Sequence, residues 1–189
     1  MKPKKIFFAL TVATVLTLFS ITAWGATGDT VPAHMYVVGQ NQGPIQGSCQ
    51  MEGREGSILV SSFSHNINIP TDPKTGKLGK RAHGPFKILK DFDKSTPKLY
   101  RALVTGENLI TVEIKFYHID PAGVEEHYFT ITLENAMIVN ISPHSPLDFF
   151  AQNIGVPRDL ETVSFIYSKI TWRWEPDGIE FEDTWQTPQ

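Results

Sequence analysis

The run Ile69-Pro70-Thr71-Asp72-Pro73-Lys74-Thr75-Gly76-Lys77-Leu78-Gly79-Lys80-Arg81-Ala82-His83-Gly84-Pro85-Phe86 decides how the rest of the chain is read. Strand-like sequence stands on both sides of it, while inside it Gly, Pro and basic residues leave no apolar period. So long a connection without secondary structure of its own is uncommon in a compact domain, where it is either functional or disordered. The basic residues Lys74, Lys77, Lys80 and Arg81 admit two readings. They form a solvated loop, or they form a contact element that meets the acidic excess of a second copy of the chain.

Outward from this run, period-two alternation dominates from Ala33 onward. Residues 57–69 read as one long strand with Phe63, His65, Ile67 and Ile69 on one face and Ser62, Ser64, Asn66 and Asn68 on the other. Beyond the run, Phe86, Ile88 and Phe92 mark another strand. A first short strand at 34–38 is stopped by Gly39 and the turn Asn41-Gln42-Gly43-Pro44. Residues 111–117 alternate, with Val112, Ile114 and Phe116 inward and Glu113 and Lys115 outward. The pattern at 127–141 runs through Phe129, Ile131 and Leu133 and changes phase near Asn135-Ala136, which predicts a bulge. A second change of phase between Tyr167 and Ile170 predicts that the halves of 162–174 bury opposite faces.

One segment is helical. Thr96 supplies an N-cap and Pro97 the first helical position. Leu99, Tyr100, Leu103 and Val104 then form an apolar stripe, and Gly106 supplies the stop, so the helix is expected over 97–105. Many strands, one helix and no repeats predict a mainly β domain, a barrel or sandwich with the helix on its flank. Residues 142–158, with three prolines, read as a second irregular loop, and the acidic end at 175–189 as peripheral.

The first residues differ in kind. Lys2, Lys4 and Lys5 precede an uncharged segment at 6–24, and Ala23-Trp24-Gly25 offers a small-residue boundary. That layout predicts a signal peptide over 1–25, a short linker over 26–32 and one domain over 33–189. Four threonines and Ser20 dilute the apolar segment, so a retained membrane anchor through 6–24 is the lesser alternative, a span needing roughly 20 well-apolar residues. Loss of 1–25 removes three of the 17 basic residues and no acid, so 14 bases would face 20 acids. An acidic balance gives no reason to expect a nucleic-acid partner. The single cysteine, Cys49, rules out an internal disulfide.

The residues that invite chemistry are dispersed. His118 and His127 bracket the turn Asp120-Pro121-Ala122-Gly123 beside Glu125 and Glu126, and a metal would need one favourable register between the flanking strands. No His-Glu-x-x-His or Cys-x-x-Cys spacing supports one. A Gly-x-Ser-x-Gly elbow is absent, and Gly76 and Gly79 lack the Lys-Ser/Thr and helix of a phosphate loop. Cys49 reads as a small apolar residue in preference to a nucleophile, and His65 as a core histidine. No catalytic residue, cofactor or metal is therefore expected.

Several strings carry more than periodicity. Val38-Gly39-Gln40-Asn41-Gln42-Gly43-Pro44-Ile45, Gly53-Arg54-Glu55-Gly56-Ser57-Ile58-Leu59-Val60 and Ile69-Pro70-Thr71-Asp72-Pro73 through His83-Gly84-Pro85-Phe86 resemble the hemolysin-coregulated protein (Hcp) family of type VI secretion. So do Asp93-Lys94-Ser95-Thr96-Pro97-Lys98-Leu99-Tyr100, Glu125-Glu126-His127-Tyr128-Phe129, Val163-Ser164-Phe165, Lys169-Ile170-Thr171-Trp172 and Trp185, in the family's order. The resemblance implies a two-sheet β-barrel with one short flanking helix and a long extended loop. It implies a homohexameric ring that stacks into a secreted tube, carries effectors, meets tip and sheath components and has no enzymatic activity. Residues 70–85 then correspond to the family's loop onto a neighbouring subunit, with Thr71, Asp72, Lys74, Thr75, Lys77, Leu78, Lys80, Arg81 and His83 as contacts. The leader departs from the family, whose members assemble in the cytoplasm and begin close to the first strand. It implies export to the periplasm, as a binding module that reuses the barrel, or a true start downstream, with Met35 a candidate. The 142–158 segment also looks different from relatives.

Overall fold

The computed structural model describes residues 33–145 and 159–185. The expected leader at 1–25, the linker at 26–32 and most of the 142–158 loop lie outside these residues. Twelve strands and one helix follow in order within them: β1 (Ala33–Gly39), β2 (Gly43–Ile45), β3 (Ile58–Val60), β4 (Ser62–Ser64), β5 (Ile67–Asn68), β6 (Ala82–His83), β7 (Phe86–Asp91), α1 (Thr96–Thr105), β8 (Leu109–Ile119), β9 (Glu125–His144), β10 (Leu160–Ile166), β11 (Lys169–Trp174) and β12 (Ile179–Thr184). The described chain is mainly β with a single helix, as the sequence predicts.

Every ladder is antiparallel, and the main path runs β2-β1-β8-β9-β10-β7-β4, with β3 on β1 and the β11–β12 pair branching from β9. Strand β9 serves two sheets. Its first half lies between β8 and β11, and its second half pairs β10. The change falls at Asn135, whose φ is +48°. Asn is among the few non-glycine residues that take this conformation readily, so the expected irregularity at Asn135-Ala136 is a corner where one strand passes between sheets. Tyr167 and Ser168 make a matching corner between β10 and β11, at the predicted change of phase.

A third corner corrects the expectation of one long strand over 57–69. Residue Ser61 separates β3, paired with β1, from β4, paired with β7, and its N–H donates to Leu89 O at 2.8 Å. Alternation survives this break because each short piece still alternates, but no single partner strand accompanies it. The hydrogen-bonded path is open among the described residues, since β2 and β4 end it and no ladder joins them.

Between the sheets lies one apolar core of Met35, Ile58, Phe86, Ile88, Leu109, Val112, Ile114, Leu133, Val163, Phe165 and Ile170. Each such side chain contributes roughly 1.5–3 kcal/mol by burial. Helix α1 closes it with Leu99 and Ala102. Val104, expected on this stripe, is 82 % exposed, because five residues past Leu99 turn the helix about 140° further. The helix begins one residue earlier than expected, with Ser95 at the cap. Thr96 is occupied elsewhere: its hydroxyl donates to buried Glu161 at 2.7 Å and accepts from Lys90 Nζ at 3.1 Å. Gly106 ends the helix at φ +63°, its N–H and that of Glu107 donating to Leu103 O and Ala102 O.

Candidate subunit-contact arm

The 69–86 run is an ordered ribbon, which corrects the expectation of a loop without secondary structure. Strands β5 and β6 pair through Ile67 opposite His83 and Asn68 opposite Ala82, and a further bridge joins Thr71 to Leu78. Asp72 builds the tip. Its Oδ1 accepts from Lys74 N at 2.7 Å and Thr75 N at 3.2 Å, while its N–H donates to Lys77 O at 2.9 Å. These backbone donors hold the Asp72 carboxyl below its ordinary range. Gly76, at φ +68°, supplies the left-handed turn residue. All of residues 66–81 are exposed, Leu78 at 71 %.

A two-stranded ribbon is marginal on its own, and here its root is fastened to the body. Arg81 Nη2 donates to Asp183 Oδ1 at 2.5 Å and to Thr184 O at 3.1 Å. His83 lies with Nε2 3.1 Å from Asp183 Oδ2 and Nδ1 2.8 Å from the Tyr167 hydroxyl, and its ring stacks on Trp185 at 4.9 Å. The Tyr167 oxygen also lies 2.7 Å from His65 Nε2. Burial and the Asp183 carboxylate push the Tyr167 phenol well above its usual value.

Of the nine contact residues named from the sequence, two are thus brought to one place: Arg81 and His83 meet at Asp183. Thr71, Asp72, Lys74, Thr75, Lys77, Leu78 and Lys80 are spread along the exposed ribbon. Sequence reading missed Tyr167, Asp183 and the role of His65. Most of the described acidic end is exposed, as expected of a peripheral segment, but β12 pairs β11 along its length and brings Asp183, with Trp185 just beyond it, to the arm's root.

The other reactive side chains go to separate structural tasks. Tyr117 stands opposite His127 and His118 opposite Glu126, so consecutive strand positions put the two imidazoles on opposite faces. That register defeats a joint metal site. His118 lies 3.3 Å from Glu126, whereas His127 meets the Thr130 hydroxyl at 2.9 Å. Cys49 is buried with Sγ 3.8 Å from His34 Nδ1, and that nitrogen lies 2.8 Å from Ser57 Oγ. Arg54 donates to His34 Nε2 at 3.2 Å, pairs with Glu125 and lies 3.5 Å over the Tyr117 ring. Burial, then Arg54, holds the His34 pKa below its ordinary value. His34 is therefore a neutral strut with both nitrogens engaged.

Known proteins resemble this chain in sequence and fold. A family profile described as "Type VI secretion system effector, Hcp" matches residues 35–174. The chain is 39 % identical over 172 residues to the "Major exported protein" of Pseudomonas aeruginosa, covering 83 % of this chain and 96 % of that one. Among solved structures, Hcp1 from E. coli EAEC 042 superposes with a TM-score of 0.74 at 38 % identity, over 82 % of this chain and 99 % of the other. The secreted protein Hcp3 from Pseudomonas aeruginosa superposes with a TM-score of 0.69 at 36 % identity, over 82 % and 99 %.

Proposed function

Because the chain belongs to the Hcp family of type VI secretion proteins, we propose that it is a secreted, ring-forming tube component of such a system, with a structural and not a catalytic role. Two sheets that share β9 and are joined at three corners support the family's barrel as the form the domain takes in the ring. Six copies close a ring, rings stack into a tube, and effectors travel with it alongside tip and sheath partners.

The observation that carries this reading is the arm. An exposed ribbon that sets Ile67, Ile69 and Leu78 in water beside Lys74, Lys77 and Lys80 gains by docking on another surface. An identical copy offers complementary charge: the β11–β12 hairpin carries Glu175, Asp177, Glu180 and Glu182. Head-to-tail contact of unlike surfaces closes into a ring when the rotation allows it.

Replacing residues 72–77 by a two-residue turn tests the assignment. Arg81 and His83 keep the root, chain closure changes little with loop length, and the body stays folded by circular dichroism while rings vanish in negative-stain images. Rings that persist at the same concentration show that the arm is not the joint. The leader pattern of Lys2, Lys4, Lys5 and the uncharged 6–24 favours a second reading, an exported module that forms no tube. Cell fractionation with N-terminal sequencing separates the two: a processed periplasmic product without rings decides for the module.

A further inference from the structure

The arm's root contains four groups joined in one line. Asp183 Oδ2 meets His83 Nε2 at 3.1 Å, His83 Nδ1 meets the Tyr167 hydroxyl at 2.8 Å, and that hydroxyl meets His65 Nε2 at 2.7 Å. They come from four places in the chain: β12, β6, the β10–β11 corner and the segment between β4 and β5. His83 and His65 stand on the two legs of the arm, just inside and just outside the β5–β6 pairing. The line therefore ties both legs to Tyr167 and, through Asp183, to the body.

Counting protons along the line shows how it responds to acid. The carboxylate can only accept, so His83 carries its proton on Nε2. With both imidazoles neutral, His83 Nδ1 accepts from the Tyr167 O–H, and His65 Nε2–H donates to the Tyr167 oxygen. Every contact of the line, from Asp183 to His65 Nε2, then pairs one donor with one acceptor. One added proton is also accommodated: His83 Nδ1–H then donates to the Tyr167 oxygen, and the Tyr167 O–H turns to His65 Nε2, the neutral His65 now carrying its proton on Nδ1. With two added protons both imidazolium groups donate into one oxygen, and the Tyr167 O–H loses its acceptor. A buried donor is then orphaned between two positive charges. The charged groups facing the line are Asp183 and Arg81, which pair with each other at 2.5 Å, so the Asp183 carboxylate is already shared. Around them, Trp185 stacks on His83, and Phe86 lies 5.3 Å from the His65 ring.

We propose that Asp183, His83, Tyr167 and His65 form an acid-sensitive latch that fastens the arm with no proton or one added and releases it when both histidines are charged. This rests on reading the arm as the subunit contact, and it makes ring assembly depend on the acidity of the compartment where the arm docks. Burial and the neighbouring His83 lower the His65 pKa from its ordinary 6.5, which places release on the acid side of that value.

Amide hydrogen exchange of the intact protein between pH 8 and 5, corrected for the intrinsic rate, tests the latch with or without rings. The Gly84 N–H, which donates to Asn66 O across the two legs at 2.8 Å, reports the root directly. Expected is strong protection at pH 7.5 that falls at least tenfold by pH 5, while core amides such as Ile114 keep theirs. In His65→Gln, whose amide donates to Tyr167 and never charges, the fall moves at least one pH unit lower. Tyr167→Phe, which removes the central oxygen, weakens Gly84 protection at every pH. Protection of Gly84 unchanged down to pH 5, or a His65→Gln transition at the wild-type midpoint, overturns the latch. Native mass spectra over the same pH range read the other claim: no rings at any pH sinks the ring reading, while Gly84 exchange decides for or against the latch separately.

Discussion

Lys90 Nζ lies 2.7 Å from Glu161 Oε1, and both side chains are fully buried where β7 and β10 meet the start of α1. The ammonium also meets Asp91 O at 2.7 Å, Asp93 Oδ1 at 3.0 Å and Thr96 Oγ1 at 3.1 Å. Removing one partner of such a pair strands the other charge, which costs about 3–5 kcal/mol. Lys90→Met is therefore expected to lose that much in urea denaturation. The double variant Lys90→Met with Glu161→Leu recovers part of it, since it removes the stranded Glu161 charge while Asp93 still loses its ammonium partner. A double variant as unstable as the single one contradicts this assignment.

A second prediction separates steric from conformational roles of glycine. A Cβ on Gly47 would stand 2.3 Å from Ser57 O and 2.6 Å from Ile58 Cα, both backbone atoms that cannot yield without moving β3. Gly47→Ala is expected to cost at least about 1–3 kcal/mol. Gly53, at φ +76° with nothing within 4 Å of its Cβ position, loses only the conformational preference, about 1–2 kcal/mol. Urea midpoints of the two variants give the order.

Glu107 makes a third case. Its Oε1 accepts from Asn41 N at 2.7 Å and Gln42 N at 2.8 Å, and its Oε2 from Gln42 Nε2 at 2.8 Å. It thereby binds the β1–β2 turn to the end of α1. Glu107→Ala leaves two backbone donors without their acceptor and is expected to cost about 1.5–3 kcal/mol. Exchange of the Asn41 and Gln42 amides rises in the variant; unchanged exchange would show that the turn holds itself.

The pH dependence of stability follows from groups of both signs. His34 and His65 have pKa values lowered from 6.5 by burial first. The folded chain therefore holds them neutral, and stability is lost as pH falls below 6.5 while the unfolded chain binds protons. The Glu125 and Glu107 carboxyls are held below 4.5, so their contribution is present above that value and is lost as pH falls through the lowered folded values. Urea midpoints should be level between about pH 7 and 9, below the ordinary tyrosine range, and fall in two stages on acidification. In Arg54→Gln the His34 resonance titrates at higher pH, since Arg54 opposes its protonation; a resonance that titrates as in the parent removes Arg54 from this role.

What the sequence revealed and what it hid have physical reasons. The phase change after Leu133 and the one after Tyr167 were legible because alternation has a fixed period, and a strand that changes sheets must break it. The break at Ser61 was hidden, because Ile58, Val60, Phe63 and His65 belong to pieces with different partners, and partner identity leaves no mark on alternation. The arm's length and charge were readable. Its ribbon structure was not, since the Thr71–Leu78 bridge and the β5–β6 pairing are made by backbone groups and leave no apolar period, although Asp72 and Gly76 carry the turn between them. Asp183 and Tyr167 stand about a hundred residues from Arg81 and His65, a distance that no local pattern spans.

Native mass spectrometry of the purified chain, at tens of micromolar and neutral pH, tests most directly whether this domain is a building block completed by its own copies. A dominant species of six times the chain mass, lost when residues 72–77 are replaced, is the predicted result. A single-chain mass that persists as concentration rises contradicts the account.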